Sequence, residues 1–310
     1  MLRKVSVIGA GNVGATVANE LARRDMADVV LVDVVEGFAA GKALDMAQAA
    51  PILGYSTELS GGESLDCVDG SDVVVITAGA RRKPGMSRAE LLSINAGVVT
   101  GICKEIKKKA PKSVVLLVTN PLDIMCYVAM KTTGFPRERV IGMAGVLDAA
   151  RMCAFVAMEL GISPGDVRAM VLGGHGDSMV PLVDFTTVNG IPIRRLLDED
   201  RIERIVERTR KGGGEIVSLL QTLSAFYAPG AGAARIVEAV LTGKAILVPA
   251  SVWAEGEYGI KDTFVGLPVI IGEGGLREVV EVRLEKGDFE ALKDSAQAVK
   301  AGIGALEVEG

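Results

Sequence analysis

Histidine is almost missing from this chain: one imidazole, His175, stands in 310 residues. Cysteine is scarce too, and Cys67, Cys103, Cys126 and Cys153 fall without any C-x-x-C spacing. These two shortages exclude a His/Cys zinc set and a disulfide framework, so no metal is expected and the thiols are expected to be reduced and mostly buried. Long apolar runs are also lacking. Although 49% of residues are hydrophobic and the mean hydropathy is +0.36, runs such as "DVVVITAGA" stop well short of the roughly 18–20 apolar residues a spanning helix needs. The basic start "MLRKVSVIGAGN" leads into glycines rather than a cleavage site, and reads as the first strand of a soluble, cytoplasmic protein with no membrane partner. Positive charge is not in excess: the net charge of −5 gives no electrostatic reason to expect a nucleic acid partner, whose binding surfaces are strongly basic. The run "KEIKKKAPK" at 104–112 reads as the solvated end of a helix, where cations suit the dipole.

What is present is a change of pattern near the middle of a chain long enough for two domains. In the first half, β-branched runs ("KVSVIGAG", "VVLVDV", "DVVVITAG", "SVVLLVTN", "RVIGMAG") alternate with helical patterns. Strands without polar alternation, separated by helices, imply right-handed crossovers and a parallel sheet buried on both faces. From about residue 145 a long helix "LDAARMCAFVAMELG" is followed by shorter strands with a hairpin turn at Asn189-Gly190. Two further helices are expected, "DRIERIVERTRKGGGEIVSLLQ" and "KGDFEALKDSAQAVKAGIGAL". The triplet Gly212 to Gly214 should weaken or kink the first of them unless tight packing needs the missing side chains.

Gly9-Ala10-Gly11-Asn12-Val13-Gly14 is a G-x-G-x-x-G that follows a strand and opens a helix, and Asp33 ends the next strand. Glycines let backbone N–H groups approach a pyrophosphate at the positive end of the helix, and a carboxylate at the second strand accepts ribose hydroxyls while repelling a 2′-phosphate. NAD is therefore favoured over NADP. A glycine turn that merely packs strand on helix is the alternative. Two more strand ends, Thr77-Ala78-Gly79 and Val118-Thr119-Asn120-Pro121, lie on the ligand edge of such a sheet. Asn120 would bond either the nicotinamide or a substrate oxygen, or is an ordinary turn former before Pro121.

Around a Pro84-Gly85 turn cluster Arg81, Arg82, Lys83 and Arg88, either a solvated basic loop or a loop that folds over bound ligand. Asp148 and Arg151, three apart on a helix, share one face. With His175 in "GGHGDSMVPL" they suggest a division of labour: Asp148 fixing the imidazole tautomer, Arg151 binding a carboxylate, and the glycines beside His175 leaving room for substrate and nicotinamide.

In order along nearly the whole chain, "VIGAGNVGATVA", "LVDVVEGFAAGKALDM", "TAGARRKPGMSRAELL", "NAGVV", "VTNPLDIM", "VIGMAGVLDAARM", "GGHGDSMVPL" and "LSAFYAPGA" resemble the lactate/malate dehydrogenase family. The loop form "RRKPGMSR" and "SAFYAPGA" are similar to the malate-using members of its lactate-dehydrogenase-like group; in lactate-using members the position of Arg82 is typically glutamine. The resemblance implies an α/β fold, with an N-terminal Rossmann doubly wound parallel sheet (residues 1–143, NAD-binding) followed by an α+β catalytic domain (residues 144–310). It implies His175 as acid/base, Asp148 as its partner and Arg151 as the clamp on the carboxylate beside the reacting carbon. Arg88 would polarise the carbonyl after loop closure, Arg82 would pair with the second carboxylate, Asn120 would hold the substrate oxygen and Ser224 would lie near the distal end of the substrate. NAD would be held by Gly9, Ala10, Gly11, Asn12, Val13, Gly14 and Asp33, with further contacts from Thr77, Ala78, Gly79, Asn95, Val118 and Asn120. The implied reaction is NAD-dependent interconversion of malate and oxaloacetate, a tricarboxylic acid cycle step, by a homo-oligomer, tetramer ahead of dimer. Two rivals stand beside it: a lactate or other 2-hydroxy-acid dehydrogenase, and a catalytically inactive NAD-binding sensor, which would have no need of His175, Asp148 and Arg151.

Overall fold

A computed structural model describes residues 3–80 and 85–309, without the side chains of Arg88 and of residues 307–309. Its first half runs β1 (Lys4–Ile8), α1 (Asn12–Ala22), β2 (Asp28–Val32), α2 (Phe38–Leu53), β3 (Leu59–Gly62), β4 (Val73–Ile76), α3 (Arg88–Lys109), β5 (Val114–Leu117), α4 (Leu122–Thr133) and β6 (Val140–Gly142). All six strands pair in parallel. Every residue of β4 and β5 is buried, as expected where helices cover both faces, and each such Val or Leu contributes about 2 kcal/mol of burial. Ser87 and Glu90 close a capping box at the start of α3, and Lys107, Lys108 and Lys109 complete its last turn, as the lysine run predicts.

The second half continues α5 (Ala144–Leu160), β7 (Val167–Leu172), β8 (Val180–Val188), β9 (Ile191–Pro192), α6 (Glu199–Leu220), α7 (Tyr227–Thr242), β10 (Ile246–Glu255), β11 (Lys261–Gly272), β12 (Gly275–Val279) and α8 (Lys286–Glu309). The expected hairpin at Asn189-Gly190 joins β8 to β9, with both residues at positive φ. The strand order of the large sheet is β12-β11-β10-β6-β5-β4-β1-β2-β3; β7-β8-β9 form a separate small sheet. The parallel part thus reverses direction between β1 and β4, the switch point at which open α/β sheets bind ligands.

Three features depart from the sequence reading. Strand β3, "LSGG", lacks the β-branched signal that marks the other parallel strands. Strands β10, β11 and β12 extend the parallel sheet by antiparallel pairing onto β6; Pro249 and Pro268, which face each other in the β10–β11 register, break the usual strand signature. Helix α7 is a third late helix where two were expected. Its "YAPGAG" start contains breakers, but Pro229 lies in the first turn, where no N–H is needed. A Cβ on Gly230 would lie 2.5 Å from Thr16 of α1, so the glycine permits close helix packing. Nor does the glycine triplet break α6, which runs through it without interruption.

Candidate functional site

The turn between β1 and α1 is built around glycines that nothing larger could replace. Gly9 sits at φ +99°, and a Cβ on Gly14 would lie 1.8 Å from the Gly9 carbonyl oxygen. Gly11, by contrast, faces open space and is the N-cap of α1 without a side-chain cap. The N-terminal N–H groups around Asn12 and Val13 therefore stand uncapped above the sheet edge, the cradle an anionic pyrophosphate fits. Asp33 follows β2, and its Oδ2 accepts the Ala10 N–H at 2.8 Å while Oδ1 accepts that of Val35 at 3.1 Å. Each oxygen keeps lone-pair capacity for a hydroxyl. These residues fit the adenosine and pyrophosphate half of a dinucleotide.

The second strand ends are placed beside this turn, but several of their side chains are already engaged. Thr77 Oγ1 donates to the Gly9 carbonyl at 2.9 Å, supporting the turn. Ala78 donates its N–H to Ile8, while Gly79 is exposed and Val118 half-buried. Asn95 is 1% exposed. It accepts from Ala80 N at 2.7 Å and donates to the carbonyls of Ala80 at 3.2 Å and Asn120 at 2.7 Å. That spends both its side-chain donors on joining the ends of β4 and β5. Asn120 is exposed at the edge, ahead of a cis peptide to Pro121.

His175 lies in the turn between β7 and β8 with its side chain 16% exposed. Its Nδ1 is 2.8 Å from Asp148 Oδ2, and Asp148 Oδ1 accepts from Arg151 at 3.0 Å. Helix α5 thus presents a carboxylate that is bonded on one side to the imidazole and on the other to a guanidinium, with the Asp148 side chain only 3% exposed. The i, i+3 pair is no surface ion pair. Burial works against an imidazolium here, but the charge and hydrogen bond of Asp148, aided by Asp123, more than offset it and hold the His175 pKa above its ordinary 6.5. Because Asp148 takes Nδ1–H, the tautomer is set and Nε2 is left as the exchanging nitrogen.

The glycines beside His175 do something other than make room for ligands. A Cβ on Gly173 would lie 2.8 Å from Ser295 Oγ, and one on Gly174 would lie 2.7 Å from Val299, both on α8. Their bare faces point at the protein, and they let the turn seat against α8. Only Gly176, at φ +138° with nothing nearby, has an open face. The triplet in α6 works in the same manner. A Cβ on Gly212 would be 3.2 Å from Arg151 Cδ, and one on Gly213 would be 3.5 Å from its guanidinium. The exception allowed for tight packing is the one realised, because α6 lies flat on Arg151.

Arg81, Arg82 and Lys83 lie outside the described residues, and so does the Arg88 side chain, although its backbone opens α3. Ser224 lies exposed in the connection between α6 and α7, and among the described residues no hydrogen bond ties it to His175 or Arg151. Two residues near the site escaped the sequence reading. Lys42 of α2 donates to the Ala10 carbonyl at 2.7 Å; burial lowers its pKa, and the nearby Asp33 only partly opposes this. Asp123 of α4 accepts the His175 backbone N–H at 2.8 Å. The signal for Lys42 was its place one turn beyond the start of α2; Asp123 carried no local signal beyond being an acid in a helix's first turn. Among the described residues no group of His, Cys, Asp and Glu is arranged to hold a metal, and no helix is long and apolar enough to cross a membrane.

Comparison with known proteins agrees with this geometry. The family model for the lactate/malate dehydrogenase NAD binding domain matches residues 3–142, and that for the alpha/beta C-terminal domain matches residues 145–308. A malate dehydrogenase of Thermomicrobium roseum is 55% identical over 307 residues, covering 99% of both chains. The structure of malate dehydrogenase from Salinibacter ruber superposes with TM-score 0.94 at 48% identity, covering 98% of this chain and 97% of that one. The lactate dehydrogenase of Cryptosporidium parvum, complexed with lactic acid and nicotinamide adenine dinucleotide, superposes with TM-score 0.95 at 36% identity over 99% and 98% of the two chains. With both halves matched and the dinucleotide cradle and His–Asp–Arg cluster in place, the chain belongs to the lactate/malate dehydrogenase family.

Proposed function

We infer that this chain is an NAD-dependent dehydrogenase that interconverts (S)-malate and oxaloacetate. The observation that carries the chemistry is the Asp148 carboxylate shared between His175 at 2.8 Å and Arg151 at 3.0 Å. An inactive NAD-binding sensor has no use for that arrangement. The choice of malate over lactate rests on full-length identity, 55% to a malate dehydrogenase against 36% to a lactate dehydrogenase. Among the residues, it rests on Arg82 in place of the glutamine typical of lactate-using members.

NAD, when bound by Gly9 to Gly14 and Asp33, supplies the acceptor for the hydride that leaves C2 of malate. In oxidation, neutral His175 accepts the hydroxyl proton at Nε2, and Asp148 stabilises the imidazolium that forms. In reduction the imidazolium returns that proton to the nascent alkoxide. Arg151 takes the carboxylate beside the reacting carbon through the guanidinium nitrogens that Asp148 leaves free. Asn120 orients the substrate oxygen, and Arg88 and Arg82 complete the pocket, Arg82 facing the second carboxylate. Ser224 lies toward the distal end of the substrate.

Self-association accompanies this reading: α2 buries only Ala39 and Ala43 but exposes Leu44, Ile52 and Leu53, apolar side chains that a homo-oligomer would cover, with a tetramer favoured over a dimer. The four free cysteines suit a reducing, cytoplasmic compartment and the malate step of the tricarboxylic acid cycle.

The test is NADH oxidation followed at 340 nm with oxaloacetate and pyruvate in parallel. Wild type is expected to turn over oxaloacetate far faster; His175→Asn should lose about 10² to 10⁴ in rate while still binding NADH. Arg82→Gln should move preference toward pyruvate, because a methyl group leaves a closed guanidinium without a partner. An unchanged oxaloacetate-to-pyruvate ratio in that variant would remove Arg82 from the pocket, and turnover of neither acid by wild type would return the sensor.

A further inference from the structure

One cation beside the cofactor cradle has no part in the chemistry above. Lys42 is half-buried on α2, one turn after Phe38, and its Nζ lies 4.4 Å from the centre of the Phe38 ring. From there it donates to the Ala10 carbonyl at 2.7 Å. The N–H of the same Ala10 goes to Asp33 Oδ2 at 2.8 Å. The second residue of the glycine turn is thus held on both of its peptides by side chains of opposite charge, a carboxylate after β2 and an ammonium from α2. Keeping the ammonium there has a cost, since burial disfavours its charge and Asp33 only partly opposes this. Lysine ammonium groups ordinarily stay in water; one placed against a main-chain oxygen of the cradle calls for a reason.

We propose that Lys42 is a positioning residue for the pyrophosphate of the cofactor: it fixes the peptide between Ala10 and Gly11 and places a positive charge beside the cradle. The inference rests on the reading of Gly9 to Gly14 and Asp33 as the NAD site. The Ala10–Gly11 peptide is trans, and a planar trans peptide carries its C=O and N–H on opposite sides. Holding the Ala10 oxygen therefore sets the direction of the Gly11 N–H, which meets no acceptor among the described residues. With it is set the start of α1, where the N–H groups of Asn12 and Val13 stand uncapped. Charge acts in the same direction. The Asp33 carboxylate suits ribose hydroxyls, but alone it would repel a pyrophosphate bound next to it. Lys42 and Asp33 are both bonded to Ala10, so the cation offsets the anion within the span of one residue, and the turn can select the ribose while still attracting phosphate.

Methionine matches the lysine stem without the amine, so Lys42→Met keeps an apolar chain beside Phe38 and removes the bond and the charge. Binding to the intact protein is read with three probes: NADH by its fluorescence, and ADP and adenosine by their displacement of NADH. ADP carries a pyrophosphate and adenosine does not, while both offer the same ribose to Asp33. In Lys42→Met the Kd values of NADH and ADP are expected to rise about 10-fold, and that of adenosine to stay within about 2-fold. The KM for NADH should follow its Kd, with a far smaller change in kcat. Lys42→Arg, which keeps a charged donor, should recover most of the loss. An NADH Kd unmoved in Lys42→Met overturns the proposal, as does an adenosine loss equal to that of ADP, or an arginine variant no better than the methionine one. Should Lys42→Met fail to fold, Lys42→Gln, with a shorter and neutral donor, is judged with the same probes against the same outcomes. Wild type that failed to bind NADH would overturn the cofactor reading and this proposal with it. Wild type that binds NADH no more tightly than Lys42→Met overturns this proposal alone.

Discussion

His175 and Asp148 set the direction of the pH dependence. The His175 pKa is held above 6.5, because the attraction of Asp148 outweighs the burial that disfavours the charge. In the proposed mechanism malate oxidation needs neutral imidazole in the free enzyme, so its kcat/KM should rise with pH through that elevated pKa. Oxaloacetate reduction needs imidazolium and should fall across the same window. In Asp148→Asn the pKa loses its main support, and both limbs should move toward lower pH with a rate loss of about 10² or more. Steady-state profiles in both directions check this; limbs that stay in place in the variant would show that Asp148 does not set the acid/base pKa. The three residues of this cluster were legible because each is a chemically distinctive side chain in a distinctive segment. The role of their glycine neighbours was not. Gly173 and Gly174 read as space for ligands, whereas their bare faces meet Ser295 and Val299, more than a hundred residues later in the chain. Asp123 was silent for the same reason, since its partners His175 and Ser251 are assembled only by tertiary structure.

Among the elements, α6 shows why a propensity argument fails in one direction. Three consecutive glycines weaken an isolated helix by about 1 kcal/mol each relative to alanine, yet α6 runs through them because Ile202, Ile205 and Thr209 bury its inner face. The glycines allow the helix backbone to close on Arg151 and Phe155. In Gly212→Val the added side chain must displace the Arg151 stem, an overpacking worth about 1–3 kcal/mol. The KM for oxaloacetate should therefore rise about 10-fold, the equivalent of about 1.4 kcal/mol, with NADH affinity unchanged because the Gly9 turn lies in a different part of the fold. NADH fluorescence titration beside oxaloacetate kinetics checks it; an unaltered KM would mean that α6 yields without moving Arg151. The parallel strands and their helices were readable from period and β-branching. Strands β10 and β11 were not, because their prolines sit at Pro249 and Pro268, where the register places them opposite each other.

For the whole molecule, the sequence divides near residue 143, but the packing does not. One continuous apolar cluster contains Val5 and Leu31 of the parallel strands together with Ala234 and Val237 of α7 and Val252 and Leu267 of β10 and β11. The sheet itself crosses the division, since Ser251 of β10 pairs with Gly142 of β6. Removing the later strands would uncover the three-residue strand β6 and expose one side of this shared cluster, although a smaller cluster around Met152, Val156, Val171 and Ile202 lies wholly within the second half. Trp253, the only tryptophan, stands at this junction, its ring 6.0 Å from Tyr127 of α4 and 5.6 Å from Phe264 of β11. It therefore reports the contact between the halves, while far-UV circular dichroism reports all the helices. At fixed chain concentration, urea transitions followed by Trp253 fluorescence, circular dichroism and NADH binding are expected to coincide. If ellipticity and Trp253 fluorescence separated into two steps, the halves would be independent folding units, and the shared sheet would be an interface between domains. Coincidence means that the site is held by a single cooperative core, with the cofactor cradle on β1 and the His175 turn beside β11 moving together or not at all.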